Sequence, residues 1–141
     1  MIHKRLLATV VAGLLLMACG DESPTGPSAA LTGTVWMLQS FQTTDEGTIS
    51  VPEPDHYTAD FAEDGGLNVR ADCNSCRGSY SVTATVLTIH PALACTEVYC
   101  GDDSLDFRYL QALGTVSAHA VSEDELRLTY AGGVLSFSGR Q

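Results

Sequence analysis

The sequence predicts a mainly β domain of the α+β class, an antiparallel sheet of about eight short strands curled around a single amphipathic helix. Three observations lead to this prediction. Short runs of alternating apolar and polar residues recur after residue 30. Turns that contain glycine join several of these runs. One segment instead has apolar residues at three-residue spacing, which is typical of a helix.

The first half of the domain consists of alternating runs. Residues 33–41 predict a first strand with Trp36 and Leu38 on one face, and the polar, proline-containing stretch 42–55 predicts a long loop. Two hairpins follow, the first with a turn at residues 63–66. Their four strands are predicted at 57–61, 67–71, 79–82 and 86–89.

A helix follows, and then the last strands. Asp103 is expected to act as N-cap for a helix over residues 104–113, and Gly114 stands at the C-cap position. The apolar residues of this helix are expected to share one face: Phe107, Leu110 and Leu113. The closing strands are predicted at 116–120, where Val116, Ala118 and Ala120 alternate with polar residues, at 126–130 and at 134–137.

The N-terminus has the layout of an export signal. Lys4 and Arg5 precede an uncharged run of 13 residues over 6–18. This run is shorter than the roughly 20 residues of a membrane-spanning helix, so an uncleaved anchor helix is the weaker alternative. The four residues ending at Cys19, Leu-Met-Ala-Cys, resemble the lipobox of bacterial lipoproteins. That resemblance implies cleavage before Cys19, acylation of this residue with fatty acids such as palmitate, and a membrane anchor.

Three segments are therefore expected. Residues 1–18 form a signal peptide, residues 19–30 form a flexible tether from the acylated cysteine, and residues 31–141 form one domain. Gly20 follows the modified cysteine where an aspartate would favour the inner membrane in some bacteria. We therefore expect attachment to the outer membrane, facing the periplasm.

The charge of the chain narrows the range of partners. Without Lys4 and Arg5, five cationic side chains stand against 17 acidic ones, which gives a formal net charge of −12. This charge repels phosphate backbones and anionic headgroups, so we expect no nucleic-acid binding and membrane contact through the lipid alone. We expect a monomer that contacts an unknown envelope protein.

Four cysteines remain for the domain, and their spacing is Cys-x2-Cys-x18-Cys-x4-Cys, from Cys73 to Cys100. In an oxidising compartment this even number favours two disulfides. Two alternatives are weaker. A tetrathiolate zinc site would need reduced thiols outside the cytoplasm. Dithiol redox catalysis would need a helix after the Cys-x-x-Cys motif, but glycine and strand-like residues follow it. The four cysteines could pair in three ways, and the spacing does not choose among them.

Other candidate groups have simpler structural readings. The histidines of the expected domain, His56, His90 and His119, are isolated and each is expected to be a surface or hydrogen-bonded residue. The acidic residues near 103 are expected to cap the helix rather than to bind a cation. The aromatic residues are expected in the core, with an apolar groove for a lipid or peptide as the alternative: Trp36, Tyr80 and Phe137. We expect no metal, cofactor or catalytic residue.

Several short motifs together resemble the META domain (HslJ-like) family. They are Gly33-Thr34-x-Trp36-x-Leu38, Tyr57 to Phe61 before an Asp-Gly turn, Cys73-Asn74-x-x-x-Gly78-x-Tyr80, Leu93-Ala94-x-Thr96-x-x-x-Cys100, the helix residues and Leu126-x-Leu128. The block Cys-Asn-x-x-x-Gly with the downstream Thr-x-x-x-Cys is the most specific part. The resemblance covers residues 31–137.

The resemblance implies a cracked, lipocalin-like antiparallel barrel with one helix and no agreed catalytic activity. It places the family's cysteine pair on Cys73 and Cys100, and a nested pair on Cys76 and Cys95 then follows. Within the motif, Asn74, Gly78 and Thr96 are expected to serve backbone geometry and not catalysis. We thus expect a non-enzymatic envelope lipoprotein, a structural or stress-related binding module. A carrier of a lipid or small apolar ligand and a thiol or zinc protein are the alternatives.

Overall fold

The computed structural model describes residues 30–140, so the expected signal peptide, Cys19 and the tether up to residue 29 lie outside the described residues. The described residues form ten strands and one α-helix. In chain order these are β1 (Val35–Thr43), β2 (Gly47–Ser50), β3 (Tyr57–Phe61), β4 (Gly66–Ala71), β5 (Asn74–Val82), β6 (Leu87–Ile89), β7 (Ala94–Cys95), α1 (Asp106–Leu113), β8 (Ala118–Ser122), β9 (Glu125–Tyr130) and β10 (Gly133–Arg140).

Eight strands form one antiparallel path in the order β6-β5-β4-β3-β1-β10-β9-β8, while β2 pairs with β1 and β7 pairs with β5. The two ends of this path meet. Leu87 N donates to Ser117 O at 3.4 Å, and His119 N donates to Thr85 O at 3.0 Å. This short seam nearly closes the sheet into a barrel, which confirms the predicted fold class of a cracked antiparallel barrel.

The inner faces of the strands and one face of α1 form a single hydrophobic core. Trp36, Tyr109 and Phe137 are among the largest fully buried side chains. Trp36 Nε1 donates to Leu31 O at 2.9 Å, so its polar atom is satisfied inside the core. Because Trp36, Tyr80 and Phe137 are all buried, they belong to the core and do not line an open groove. In residues 30–140, no helix is both long and apolar enough to cross a bilayer.

One strand lies where a loop was expected, and another begins earlier than predicted. The stretch 42–55, predicted as a long loop, contains β2, which pairs with β1 from Ser40 to Thr43. Three of the four β2 residues are exposed, so backbone hydrogen bonds hold this strand and no apolar alternation marks it. Strand β5 also begins five residues earlier than predicted, at Asn74. Its start was missed because the cysteines, polar residues and Gly78 mask a buried alternation at positions 74, 76 and 80.

The helix differs from the prediction at its start and in its buried face. It begins at Asp106 with Leu105 as N-cap, so Asp103 is not the cap. The preceding residues form a turn instead, in which Leu105 N donates to the Tyr57 hydroxyl at 3.0 Å. The buried helix residues are Tyr109, Ala112 and Leu113, whereas Phe107 is exposed. Phe107 lies about 200° around the helix from Tyr109, so the two cannot both face the core.

Strand β8 is shifted by two residues from the predicted run 116–120. His119 and Val121 stand opposite the buried residues Leu128 and Leu126 of β9. Residues directly opposite each other in an antiparallel pair share a face, so His119 and Val121 point inward and the alanines point outward. Alanine carries too little apolar area to decide the face of a strand.

Candidate functional site

The cysteines cluster at one corner of the barrel, where β5 meets β7 and the segment after it. Cys73 is bonded to Cys100 with 5.6 Å between their Cα atoms, and Cys76 is bonded to Cys95 with 4.0 Å between theirs. These are the two pairs that the family resemblance implied. Cys76 and Cys95 are direct cross-strand partners. Cys76 lies within β5 and is buried, whereas Cys73 lies in the turn before β5 and is exposed.

The side-chain amide of Asn74 lies between the two disulfides and is 4% exposed. Its Nδ2 donates to Val98 O at 2.9 Å, and its Oδ1 accepts from Val98 N at 2.8 Å and from the Thr96 hydroxyl at 3.0 Å. Thr96 Oγ1 in turn accepts from Ser75 N at 3.0 Å. Asn74 and Thr96 therefore fix the segment after β7 onto β5 through polar contacts.

The Asn74 amide also reaches the helix. Its Nδ2 lies 3.3 Å from Asp106 Oδ2, at the first residue of α1. One buried side chain thus connects the start of β5, the segment after β7 and the beginning of the helix. The geometry gives Asn74 a structural task, since its hydrogen bonds go to other parts of the chain.

Gly78 allows a close approach at the same corner. A Cβ atom at this position would overlap with Cδ2 of Leu93, which is partly buried against the core. The glycine therefore lets the chain between β6 and β7 lie directly on β5.

A groove of about 680 Å³ opens between α1 and the segment 89–99, which the disulfides and Asn74 hold against β5. We call it the α1 groove. It is lined by Asn74, Ile89, His90, Pro91, Ala92, Leu93, Cys95, Thr96, Glu97, Val98, Tyr99, Asp106, Phe107, Leu110 and Gly114. One wall is the segment that both disulfides and Asn74 hold, and the other wall is the helix. Ala92 has a φ of 72°, which is uncommon for a residue other than glycine.

Exposed apolar side chains concentrate at the α1 groove. Within residues 30–140, four large hydrophobic side chains are exposed, and three of them line it. These are Val98 (57% exposed), Tyr99 (77%) and Phe107 (69%). The fourth, Val86 (49%), lies at the seam between β6 and β8. A contiguous exposed apolar patch is a common mark of a binding surface.

The surroundings of the groove are acidic. Glu97 and Asp106 line it, and Asp102 and Asp103 follow closely in the chain. Within the described part of the chain, none of these four carboxylates forms an ion pair. The Tyr99 hydroxyl donates to Asp102 Oδ1, and this hydrogen bond raises the pKa of the tyrosine. The side chains that form the groove therefore combine apolar surface with negative charge.

The cation nearest to this surface in sequence is engaged elsewhere. Arg108 Nη1 donates to Glu46 Oε2 at 2.7 Å across a second, more polar groove, and this contact lowers the pKa of Glu46. Among residues 30–140, no group of three or more His, Cys, Asp or Glu side chains is arranged to hold a metal ion. The histidines are dispersed: His56 contacts Asp72, His90 lines the α1 groove and His119 lies at the seam.

The residues that form this surface were not singled out from the sequence. Phe107 was assigned to the core because its spacing with Leu110 suggested one buried face. Val98 and Tyr99 stand in a short run between two cysteines, where no periodicity marks them. The sequence signal that could have indicated this surface is the pair Val98-Tyr99, two adjacent apolar residues close to Glu97 and Asp102.

Comparison with known proteins agrees with this fold. An NMR structure of a protein from Burkholderia xenovorans is 22% identical, with 99% of both chains covered and a TM-score of 0.67. A crystal structure of a DUF4847 family protein from Bacteroides vulgatus is 10% identical, with 80% of this chain and 96% of that chain covered and a TM-score of 0.59. At these identities the likeness shows the fold alone. No curated protein matches the chain.

The sequence family is shown by a broader match. The META domain matches residues 29–141, which include every described residue and both disulfides. The chain therefore belongs to the META domain family.

Proposed function

We propose that this protein is a non-enzymatic, lipid-anchored binding module of the bacterial envelope, and that the α1 groove receives a partner protein. The observation that carries this proposal is the meeting of Val98, Tyr99 and Phe107 at one groove with a covalently fixed wall. Burial of these side chains by a partner would remove apolar surface from water, which favours association.

The rigidity of the groove supports a binding role. The wall that carries Val98 and Tyr99 has little regular structure of its own, yet a disulfide at each end and the Asn74 hydrogen bonds restrict it. A preorganised surface loses less conformational entropy when a partner binds. The same crosslinks suit an oxidising compartment, as expected for an exported protein.

Membrane attachment through Cys19 is the second part of the proposal. It is supported by the N-terminal sequence pattern and by the placement of the domain after residue 29. Metabolic labelling with a clickable palmitate analogue tests it in the native bacterium. We expect label on the wild-type protein and none on a Cys19→Ala variant, and unlabelled wild-type protein would contradict the anchor.

Site-specific photocrosslinking tests the binding role. A photoreactive amino acid replaces Tyr99 at the groove or, as a matched control, Val86 at the seam. We expect position 99 to give one reproducible crosslinked partner in intact cells and position 86 to give none. A Phe107→Ser change in the position 99 variant should abolish this product, because it removes the opposite apolar wall.

Two results would contradict the binding role. Equal crosslinking from positions 99 and 86 would mean that the groove is not selective. Persistence of the product after Phe107→Ser would mean that the partner does not use the groove. Phe107 is exposed, so we expect the stability of the domain to change by no more than about 0.5 kcal/mol in this variant.

A further inference from the structure

The chemistry of the α1 groove identifies the kind of segment that fits it, if the binding role proposed above holds. We propose that the partner enters as an extended peptide segment with an apolar anchor side chain flanked by Lys or Arg. Three features of the groove support this occupant: its apolar walls, its carboxylates that form no ion pair within residues 30–140, and backbone N–H groups on its wall that have no partner among the described residues.

The apolar walls call for an anchor side chain. Phe107 and Leu110 of α1 face the segment that contains Leu93 and Val98 across the groove. Leu93 and Leu110 are partly buried against the core, so the floor continues the hydrophobic interior. A groove of about 680 Å³ has room for an aliphatic or aromatic side chain, which is the usual anchor in a protein interface.

The charges call for a cationic flank. Glu97 and Asp106 line the groove, and neither carboxylate forms an ion pair within residues 30–140. Asp106 accepts hydrogen bonds from Asn74 Nδ2 and Phe107 N–H, so Glu97 is the carboxylate that a cationic side chain would contact first. The whole chain carries a formal net charge of −10, so a cationic segment is also attracted at long range. The same field repels the phosphate of an anionic lipid headgroup, which argues against such a lipid as occupant.

The free backbone donors call for a peptide. The N–H groups of Thr96 and Val98 are bonded to Ser75 O and Asn74 Oδ1. The N–H groups of Glu97 and Tyr99 have no partner among the described residues, and both residues are exposed. Carbonyl groups of an extended peptide can accept from them, as in the addition of a strand to an open edge. An acyl chain offers no such acceptors.

A peptide titration tests the proposal. The protein is the oxidised mature chain, residues 19–141, with Cys19→Ser so that no acyl chain is present. The probe is acetyl-Lys-Leu-Ser-Phe-Lys-amide. Its matched controls replace both Lys by Glu, or Leu and Phe by Ser. Binding is followed by two-dimensional NMR of the amide signals of Val98 and Phe107.

We expect saturable shifts for the Lys peptide, at least about tenfold weaker binding of the Glu peptide, and no saturable binding of the peptide without apolar anchors. Glu97→Gln should weaken the Lys peptide about two- to fivefold, while Glu63→Gln, a change of the same charge in the β3–β4 turn, should leave binding unchanged. Raising the salt concentration should also weaken the binding of the Lys peptide to the unsubstituted groove, because salt screens the attraction between the charges.

The outcomes separate this inference from the binding role itself. Equal binding of the Lys and Glu peptides would contradict the proposal that the flanking residues are cationic. Saturable binding of phosphatidylcholine vesicles, with no binding of any peptide, would contradict the proposal that the occupant is a peptide. If the photocrosslink from position 99 is still observed and still depends on Phe107, the groove binds a protein, but one without the apolar and cationic segment proposed here. If that crosslink is also absent, the binding role fails as well.

Discussion

Asn74 contacts both backbone polar groups of Val98, through Nδ2 to the carbonyl at 2.9 Å and through Oδ1 from the N–H at 2.8 Å. One side chain thus replaces a pair of strand-like hydrogen bonds, at a point where β7 has ended. The residues involved are 24 positions apart, so this contact joins two distant parts of the chain at the wall of the α1 groove.

The first prediction concerns this amide. Asn74→Ala should lower the free energy of unfolding by about 2 to 3 kcal/mol, because it removes several hydrogen bonds of a buried side chain. Urea denaturation of the oxidised protein measures the change. Asn68→Ala, at an exposed position of β4, is the matched control and should cost no more than about 0.5 kcal/mol. Equal effects of the two variants would refute the structural role of Asn74.

The second prediction concerns the close contact of Gly78 with Leu93. Gly78→Ala should destabilise the domain by about 1 to 2 kcal/mol, because the new Cβ overlaps with Leu93 Cδ2. In the background of Leu93→Ala, the same change should cost much less, since the overlapping atom is gone. A double-mutant cycle measured by thermal or urea unfolding gives the coupling energy. Additive effects of the two changes would show that this contact does not limit position 78.

The third prediction concerns the order in which the disulfides are reduced. Cys73 is exposed, whereas Cys76 is 2% exposed. Under native conditions, a small thiol reductant should therefore open the bridge between Cys73 and Cys100 first. Timed alkylation followed by peptide mass spectrometry identifies the free thiols.

A matched pair of double variants completes this test. Each bridge closes a long loop, with sequence separations of 27 and 19, and the outer bridge alone should contribute about 3 to 4 kcal/mol in the chain-entropy estimate. Because the two loops are nested, the remaining bridge already constrains the chain, so loss of either bridge alone should cost less than this. The variants are Cys73→Ser with Cys100→Ser, and Cys76→Ser with Cys95→Ser. Earlier alkylation of Cys76 and Cys95 in the wild type would contradict the predicted order.

The fourth prediction concerns pH. His119 lies at the seam, and its Nδ1 is buried without a hydrogen-bond partner in the described part of the chain. Burial lowers the pKa of this imidazole, and a backbone hydrogen bond with Thr85 partly opposes the shift. The unfolded chain, with a pKa of about 6.5, then binds more protons than the folded one. Stability should therefore fall as the pH drops through about 6.5, and level off below the folded pKa.

Urea midpoints at pH 7.5 and 5.5 measure this contribution. His119→Gln should reduce the loss of stability between these two values, because the titrating group at the seam is gone. His90→Gln, at an exposed position, is the matched control and should retain the wild-type dependence. An unchanged pH dependence in the His119 variant would contradict the assignment.

The fifth prediction concerns Tyr109, a helix residue that is fully buried in the core. Its hydroxyl is buried and has no hydrogen-bond partner among residues 30–140, and burial raises its pKa. Tyr109→Phe should therefore leave the stability unchanged or raise it by up to about 1 kcal/mol, because an unpaired polar group no longer needs to be desolvated. Tyr57→Phe, which removes the acceptor of Leu105 N–H, should instead cost about 1 kcal/mol. If Tyr109→Phe instead lowered the free energy of unfolding by more than about 1 kcal/mol, the Tyr109 hydroxyl would have a hydrogen-bond partner.

Much of the fold could be predicted because its strands have one buried and one exposed face. In β1 and β9, buried Trp36, Leu38, Leu126 and Leu128 alternate with less buried residues, and this period of two is visible without any tertiary information. The turn at Gly65, with a φ of 86°, was equally readable, since glycine adopts this conformation at little cost. Strand β2 was missed because pairing with β1 requires only backbone groups.

The candidate site was less predictable because it depends on orientation. A helix of eight residues has too few turns for apolar spacing to define its buried face, and Phe107 was therefore assigned to the wrong side. The structure resolves the ambiguity because Tyr109 and Leu113 fill the space beneath α1. The exposure of Phe107 is the consequence of that packing.

The amino-acid sequence by itself determined the antiparallel β class, the positions of most strands, and the presence of a specific Cys-Asn-x-x-x-Gly motif, because these follow from local periodicity and residue type. Only the tertiary structure decided that Val98, Tyr99 and Phe107 meet at one groove, and that Asn74 joins that groove to the sheet. The physical reason is that these contacts link residues up to 32 positions apart, and their geometry is set by how strands and helix pack together and not by any local preference of the chain.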